Sequence, residues 1–424
     1  MMMHSVLFVL IALPAFTLQQ CFTADDSKVD ISGTARAALF TGEQKFSLSL
    51  LQAINSVMPT KNIFFSPFSV YNAMLLAYFT ASNHTEAALH KALFLPTAQD
   101  KLSTMQAYRL EKYFQKMRMY NNSTASYELS SANRLFISPQ QNVRECMKLL
   151  FEDEITVTDF AADPVAATKF INNWVEEQTK NEIKDLIPAG HLTQVTQLVL
   201  ANAAYFKGLW KTKFQPEATR KEVFFVSNSQ NAFVTMMKMK STFNHMVSEK
   251  LGAHILELPY KGEDVSMYIF LPPTSPNGVT NILKHLTFEN LQEIVSQDLM
   301  VQRVVDVGIP KFTIEQQLEM TPILESLGVG DVFKPTSDLS GLTGKPGLHL
   351  EECIHKAKIM VDEEGTTAAA ATAIFNFRSS RPLDPAKFIC NHPFVYIIYD
   401  KTSKTILFAG IFNEPPSQPT ASKA

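Results

Sequence analysis

The sequence predicts an α+β fold in a single domain, and three observations carry that prediction. Helix-start signals, a capping residue followed by proline, recur along the chain. Apolar runs of strand length are paired around short polar turns, as antiparallel hairpins require. No repeat, low-complexity linker or Gly/Ser-rich joint divides the 424 residues, although length alone would suggest two or three domains.

The elements follow in chain order. Ser66-Pro67 opens a helix, with serine as cap and proline in the first turn; Val70, Met74, Leu75 and Tyr78 then share one apolar face. Asp163-Pro164 opens another, expected to run through Phe170, Trp174 and Ile183. Gln197 to Phe206 is almost wholly apolar, the pattern of a strand buried on both faces. His254 to Tyr260 and Val265 to Leu271 read as a hairpin around Lys-Gly-Glu-Asp, and Phe394 to Tyr399 with Thr405 to Phe412 as a second. Residues 413–424 are rich in proline and serine and are expected to be disordered.

Composition excludes several function classes. The chain is 46% hydrophobic and 19% charged with a net charge of −3, an ordinary globular balance that argues against a dedicated nucleic-acid binder. Catalytic signatures are missing: no G-x-S-x-G elbow, H-E-x-x-H or Walker lysine is present. His392 beside Pro393 has the chemistry of a general base, yet no nucleophile is identifiable near it, and the ten histidines show no metal-ligand spacing. No enzyme, metal or cofactor is therefore expected.

Val6 to Phe16 is an apolar run of leader-peptide length, too short to cross a bilayer. Its flank Met1-Met-Met-His4 lacks Lys and Arg, so an N-terminal core strand is the alternative. Taken as a leader it covers residues 1–24, with cleavage between 18 and 24, and leaves a domain over 25–412. Acceptor sequons at Asn83, Asn121 and Asn122 agree with secretion, and the last two overlap. Cys21, Cys146, Cys353 and Cys390 form neither a disulfide framework nor a metal site. Buried free thiols are expected, with Cys21 leaving with the leader if cleavage falls after it.

The most informative stretch is Glu363-Glu-Gly-Thr-Thr-Ala-Ala-Ala-Ala-Thr-Ala-Ile-Phe-Asn-Phe377, followed by Arg378-Ser-Ser-Arg-Pro382. From Gly365 to Phe377 it carries no charge and no proline. Alanine favours helix, whereas the threonines, Ile374, Phe375 and Phe377 favour strand. The segment has no amphipathic period with which a helix would dock. Nothing in it would interrupt a β-ladder or bury a charge.

Val361-Asp-Glu-Glu-Gly-Thr-Thr-Ala-Ala-Ala-Ala-Thr-Ala373 resembles the hinge of an inhibitory serpin. Further serpin-like blocks stand in the expected order: Phe65-Ser-Pro-Phe-Ser69, Leu200-Ala-Asn-Ala-Ala-Tyr-Phe-Lys-Gly-Leu-Trp210, Ile309-Pro-Lys-Phe-Thr313, Asp338-Leu-Ser-Gly341, His355-Lys-Ala357, Asn391-His-Pro-Phe394 and Ile406-Leu-Phe-Ala-Gly410. The resemblance spans residues 40–412 and is most similar to insect haemolymph serpins.

It implies three β-sheets, about nine helices and an exposed reactive-centre loop. It also implies a secreted, monomeric suicide-substrate inhibitor of trypsin-like serine proteases, held covalently as an acyl complex. A clip-domain protease of an innate-immunity cascade is a plausible partner class; neither nucleic acid nor membrane is expected. The implied hinge is Glu363, Gly365, Thr366, Thr367, Ala368, Ala369, Ala370, Ala371 and Thr372. Lys311 with Glu363 and Trp210 match the top of the main sheet, and Ser66, Ser69, Asn202 and His392 the polar cluster beneath it. Counting fourteen residues on from Gly365 places the cut at Ser379-Ser380; the preference of trypsin-like pockets for a basic residue places it at Arg378-Ser379. Arg109, Lys112 and Lys116 share a helical face at the family's heparin-binding position, where a merely solvated face is the other reading and Glu111 counts against a glycosaminoglycan. A non-inhibitory carrier, chaperone or storage protein, and an inhibitor of cysteine proteases, remain as alternatives.

Overall fold

The computed structural model describes residues 21–23, 26, 33–121, 127–296, 299–351, 353–365 and 384–416. Hinge positions 366–372, the bait residues Arg378, Ser379 and Ser380, the leader before Cys21 and Asn122 lie outside them. Ten α-helices occur among the described residues: α1 Thr34–Val57, α2 Pro67–Thr80, α3 Asn83–Ala92, α4 Lys101–Asn121, α5 Glu145–Leu150, α6 Pro164–Gln178, α7 Gly278–His285, α8 Phe288–Val295, α9 Met320–Ser326 and α10 Ser340–Thr343. The strands are β1 Ile63–Phe65, β2 Tyr127–Ile137, β3 Ile155–Val157, β4 Leu198–Gly208, β5 Arg220–Phe225, β6 Asn231–Ser248, β7 Ala253–Pro259, β8 Val265–Leu271, β9 Val301–Pro310, β10 Phe312–Glu319, β11 Cys353–Val361, β12 Ala386–Ile389, β13 Phe394–Asp400 and β14 Thr405–Phe412.

One sheet has five strands in the order β10-β11-β4-β2-β3; the other has nine, β1-β14-β13-β8-β7-β6-β9-β12 with β5 on β6. The α+β class stands. The expected three sheets are two hydrogen-bonded ones among the described residues, because β6, 18 residues long, pairs with β5 and β9 before turning back along β7. Both hairpins form where the turn signals put them.

The helix starts also form. Ser66 Oγ caps α2 by accepting from the Ser69 N–H, and Asp163 caps α6 through the N–H groups of Val165 and Ala166. Two details differ from the pattern. α2 is buried almost all round rather than on one face, since α1, α3, β2, β4, β14 and α10 surround it. Ile183 lies beyond the end of α6, in the segment that crosses the five-stranded sheet. The tail is anchored at its start: Asn62 Oδ1 accepts from the N–H groups of Asn413 and Glu414.

Three apolar clusters bind the layers. Phe206, Ala357, Ile359 and Val361 of the smaller sheet pack on Tyr396, Phe408 and Phe412 of the larger. Helices α1 and α2 fill the lower half against Leu135, Ile137 and Leu200. On the outer face, Ala167, Ile171 and Val175 of α6 cover Ala132, Ala201 and Ala203.

Candidate functional site: a parallel seam in the five-stranded sheet

β4 and β11 run parallel, side by side, while each pairs antiparallel with its other neighbour, β2 and β10. A strand returning from the end of β11 would be antiparallel to both, so this seam is where the sheet accepts one with good ladder geometry. The β4–β11 register runs from Cys353↔Leu200 to Lys358↔Tyr205. Above it, Ile359 to Val361 pair only with β10 and Phe206 to Gly208 only with β2. The seam is therefore parted at the end where residues 362–365 leave β11.

Those residues are stitched across the gap. Trp210 stacks on Tyr260 with centroids 4.6 Å apart and donates from Nε1 to the Asp362 carbonyl at 3.0 Å. The backbone N–H groups of Trp210 and Phe214 donate to the carbonyls of Glu364 and Glu363 at 3.0 and 2.8 Å. Lys311 Nζ lies 2.6 Å from Glu363 Oε2, and Thr219 Oγ1 donates to the other carboxylate oxygen at 2.9 Å. Burial alone would raise the Glu363 carboxyl; Lys311, its own backbone N–H and Thr219 outweigh that and hold it below the ordinary value.

Gly365 sits in this stopper with φ at +105°. A Cβ there would collide with the Gly208 carbonyl oxygen, the Trp210 nitrogen and, at 2.7 Å, Leu209 Cα. Glycine is thus required by close backbone approach as well as by conformation. Gly365→Val is expected to destabilise the intact protein by about 3 kcal/mol or more, read as a lower urea midpoint; an unchanged midpoint contradicts the packing.

Under the middle of the seam lies a polar row. His355 of β11 faces Asn202 of β4 directly across it, and Asn202 faces Asn133 of β2. His355 Nδ1 bonds Asn202 Oδ1, and its Nε2 accepts from the Ser66 N–H at 2.9 Å, which sets the tautomer: the proton is on Nδ1. Asn202 Nδ2 donates to Ser69 O and Oγ at 3.0 and 2.8 Å and also to Asn133 Oδ1. Ser69 Oγ reaches Ser131 Oγ at 3.0 Å, and Ser66 Oγ donates to the Leu407 carbonyl at 2.7 Å. Ser66, Ser69 and Asn202 come together in this row.

His392 does not. It lies in the turn between β12 and β13 and donates from Nε2 to the Pro272 carbonyl at 2.7 Å, because its block leads into the nine-stranded sheet. His355 occupies the assigned place. It shares the inward register of Cys353, Ala357, Ile359 and Val361, so a polar residue at an inward strand position was the signal. Asn133 and Ser131 carried no comparable mark.

Burial pushes the His355 imidazole down to about 3. Between that value and the unfolded value of about 6.5, the unfolded chain binds a proton that the folded chain does not. Stability conferred by the neutral ring is present above pH 6.5 and is lost as pH falls toward 3. Lowering the pH from 7 to 5.5 is expected to remove about 1 kcal/mol through this group; in His355→Gln the fall in urea midpoint over that interval should shrink accordingly.

The seam is latched from above. Lys358 Nζ pairs with Glu182 at 3.0 Å, and Lys356 Nζ donates to the Lys184 carbonyl at 2.7 Å. Both acceptors belong to the segment following α6.

The other residues singled out in the sequence lie elsewhere. Arg109, Lys112 and Lys116 are exposed on α4, but Lys112 pairs with Glu154, and Glu111 bridges Arg36 and Arg118 at 2.7 and 2.8 Å. Asn83 is exposed at the start of α3 and donates to Asp338 Oδ2 at 2.7 Å, while its partner Thr85 is buried; Asn121 closes α4. Cys353 and Cys390 are buried free thiols as expected. Cys21 and Cys146 are not: they form a disulfide, since residues 21–23 fold back onto α5. Among the described residues no cluster of three His, Cys, Asp or Glu side chains is arranged to hold a metal.

A five-stranded sheet whose central parallel pair, β4 and β11, is parted at one end defines the class of fold. The Serpin (serine protease inhibitor) family profile matches residues 41–415, and the chain belongs to that family. Serine protease inhibitor 88Ea of Drosophila melanogaster is 41% identical over 396 residues, covering 90% of this chain and 91% of that one. The leukocyte elastase inhibitor of Sus scrofa is 36% identical, covering 89% and 99%. Human thyroxine-binding globulin, solved with its ligand, superposes with a TM-score of 0.78 at 26% identity, covering 90% and 99%. The family is one of protease inhibitors rather than of catalysts.

Proposed function

We propose that the protein is a secreted suicide-substrate inhibitor of trypsin-like serine proteases, with Arg378-Ser379 as the bait bond. The observation that carries this reading is the parted β4–β11 seam, with β11 leading in sequence to residues 365–377, a stretch without charge or proline. The protease serine attacks the Arg378 carbonyl, an ester forms and the Ser379 amine leaves. The freed hinge then adds to its own sheet, a mode of strand addition known for this family, and carries the esterified protease away before water can release it. The work of this chain's residues is to hold the seam ready. The stopper of Trp210, Lys311, Glu363 and Gly365 keeps the entrance formed, and the His355–Asn202 bond must break as a strand enters.

Secretion is supported by the Cys21–Cys146 bond, which fits an oxidising compartment, and by the apolar run Val6 to Phe16. A clip-domain cascade protease fits the insect relative. The elastase inhibitor among the relatives favours Ser379-Ser380 as the other candidate bond. The fold likeness to a thyroxine carrier favours a non-inhibitory binding protein as the second reading. A solvated face is favoured over a glycosaminoglycan site at Arg109, Lys112 and Lys116, because Lys112 already has an acidic partner in Glu154.

A denaturing gel against a panel of trypsin-like, elastase-like and cysteine proteases tests the proposal. A stable adduct with a trypsin-like enzyme, and a released fragment beginning at Ser379, are expected. Cleavage without any adduct overturns inhibition and leaves the carrier reading.

A further inference from the structure

We infer that leader cleavage falls on the N-terminal side of Cys21, and that the first residues of the mature chain form a disulfide clasp restraining α5. The placement of residues 21–23 and of Asp26 carries this. Cys21 is bonded to Cys146 in the first turn of α5, 125 residues away. Phe22 packs edge-on against Phe79 of α2 and Phe151 at the end of α5, with centroids at 6.2 and 6.5 Å. Asp26 gathers the N–H groups of Cys21, Phe22 and Thr23 on its carboxylate, the last at 2.7 Å, and also accepts from Thr23 Oγ1 at 2.9 Å. Arg144, just before α5, donates to the Cys21 carbonyl at 3.2 Å and to the Gly341 carbonyl of α10 at 3.0 Å. An apolar ring packed against the core, a covalent bond and a satisfied backbone are features of a folded terminus, not of a segment to be discarded. Of the bonds between 18 and 24, only those up to Gln20-Cys21 keep the clasp.

The bond forms by exchange. The two thiols give two electrons and two protons to a disulfide-bearing oxidoreductase of the secretory route, which leaves as a dithiol. A dithiol reductant reverses it.

The position gives the clasp a consequence for the seam. α5 connects β2 to β3, the outer strands on the β4 side, whereas α10 leads into β11. Strand entry must separate β4 from β11 by one strand spacing, about 4.8 Å. The clasp holds α5 to α2, and Arg144 holds it to α10, so both resist that separation. This last step rests on the inhibitory reading; the clasp itself does not.

The test uses the full chain secreted with its own leader. Non-reducing peptide mass mapping should find a linked pair containing Cys21 and Cys146, with a mature terminus at Gln19, Gln20 or Cys21. A terminus beyond Cys21, or a Cys146 thiol alkylated in the denatured, unreduced protein, overturns the inference. The paired Cys21→Ser, Cys146→Ser variant should melt about 5 °C or more below the parent. Phe22→Ser, which leaves the disulfide in place, should melt below it as well. Unchanged Tm in both variants overturns the restraint. On incubation, the double variant should lose complex-forming capacity at least about threefold faster; an equal half-life overturns the link to the seam. Mapping and melting do not depend on any protease being inhibited, so they decide the clasp independently of the inhibitory reading.

Discussion

Nicking the chain between residues 366 and 383 with a protease that is not trapped is expected to raise Tm by about 10 °C or more. About a dozen residues entering the β4–β11 seam add roughly a dozen ladder hydrogen bonds at about 1 kcal/mol net each, on the order of 10 kcal/mol in all. At roughly 1.2 °C per kcal/mol for a domain of this size, a shift of about 10 °C follows. The intact protein is then a kinetic trap rather than the stable minimum. Under the proposed mechanism, the contacts that entry breaks supply the barrier. Entry requires parting the His355–Asn202 bond, releasing Lys356 and Lys358 from the segment above, and unstitching residues 362–365 from Trp210 and Phe214. Calorimetry before and after nicking measures the shift. If Tm stays where it was, no strand has entered.

Thr366→Arg is expected to turn the inhibitor into a substrate, with covalent adduct falling tenfold or more on a denaturing gel while cleavage of the loop continues. Residues 366, 368, 370, 372 and 374 share one face of an inserted strand. A guanidinium carried between β4 and β11 costs several kcal/mol when left unpaired. Insertion races against hydrolysis of the acyl bond, and each 1.4 kcal/mol added to its barrier slows it about tenfold. Thr366→Ser keeps size and neutrality and should retain the adduct. An undiminished adduct in the arginine variant would remove the insertion mechanism.

The helix caps at Ser66 and Asp163, the two hairpins and the buried central strand were legible because each is a local contest. A side chain competes for the N–H groups of its own turn, or an apolar run excludes water along its own length. The same locality explains where reading along the chain went astray. α2 reads as one-faced because its pattern cannot count how many neighbours surround it. Ile183 continues the spacing of α6 although the helix stops five residues earlier, at Gln178. The site was half legible. Ser66, Ser69, Asn202, Trp210, Lys311 and Glu363 lay within recognisable blocks, whereas Asn133, Ser131 and the role of His355 emerge only when three strands are laid side by side.

By itself, the sequence determined the chemistry of the hinge, since lack of charge and proline is a property of the segment alone and decides whether a ladder can hold it. It also determined the elements flanking that hinge. Tertiary structure decided which histidine guards the seam, why Gly365 admits no side chain, and which cysteines meet. Those outcomes depend on distances between residues far apart in the chain: His355 and Asn202 are separated by 153 positions, and Cys21 and Cys146 by 125. Closing such loops costs entropy that only the packed core repays, so no short stretch of sequence contains the answer.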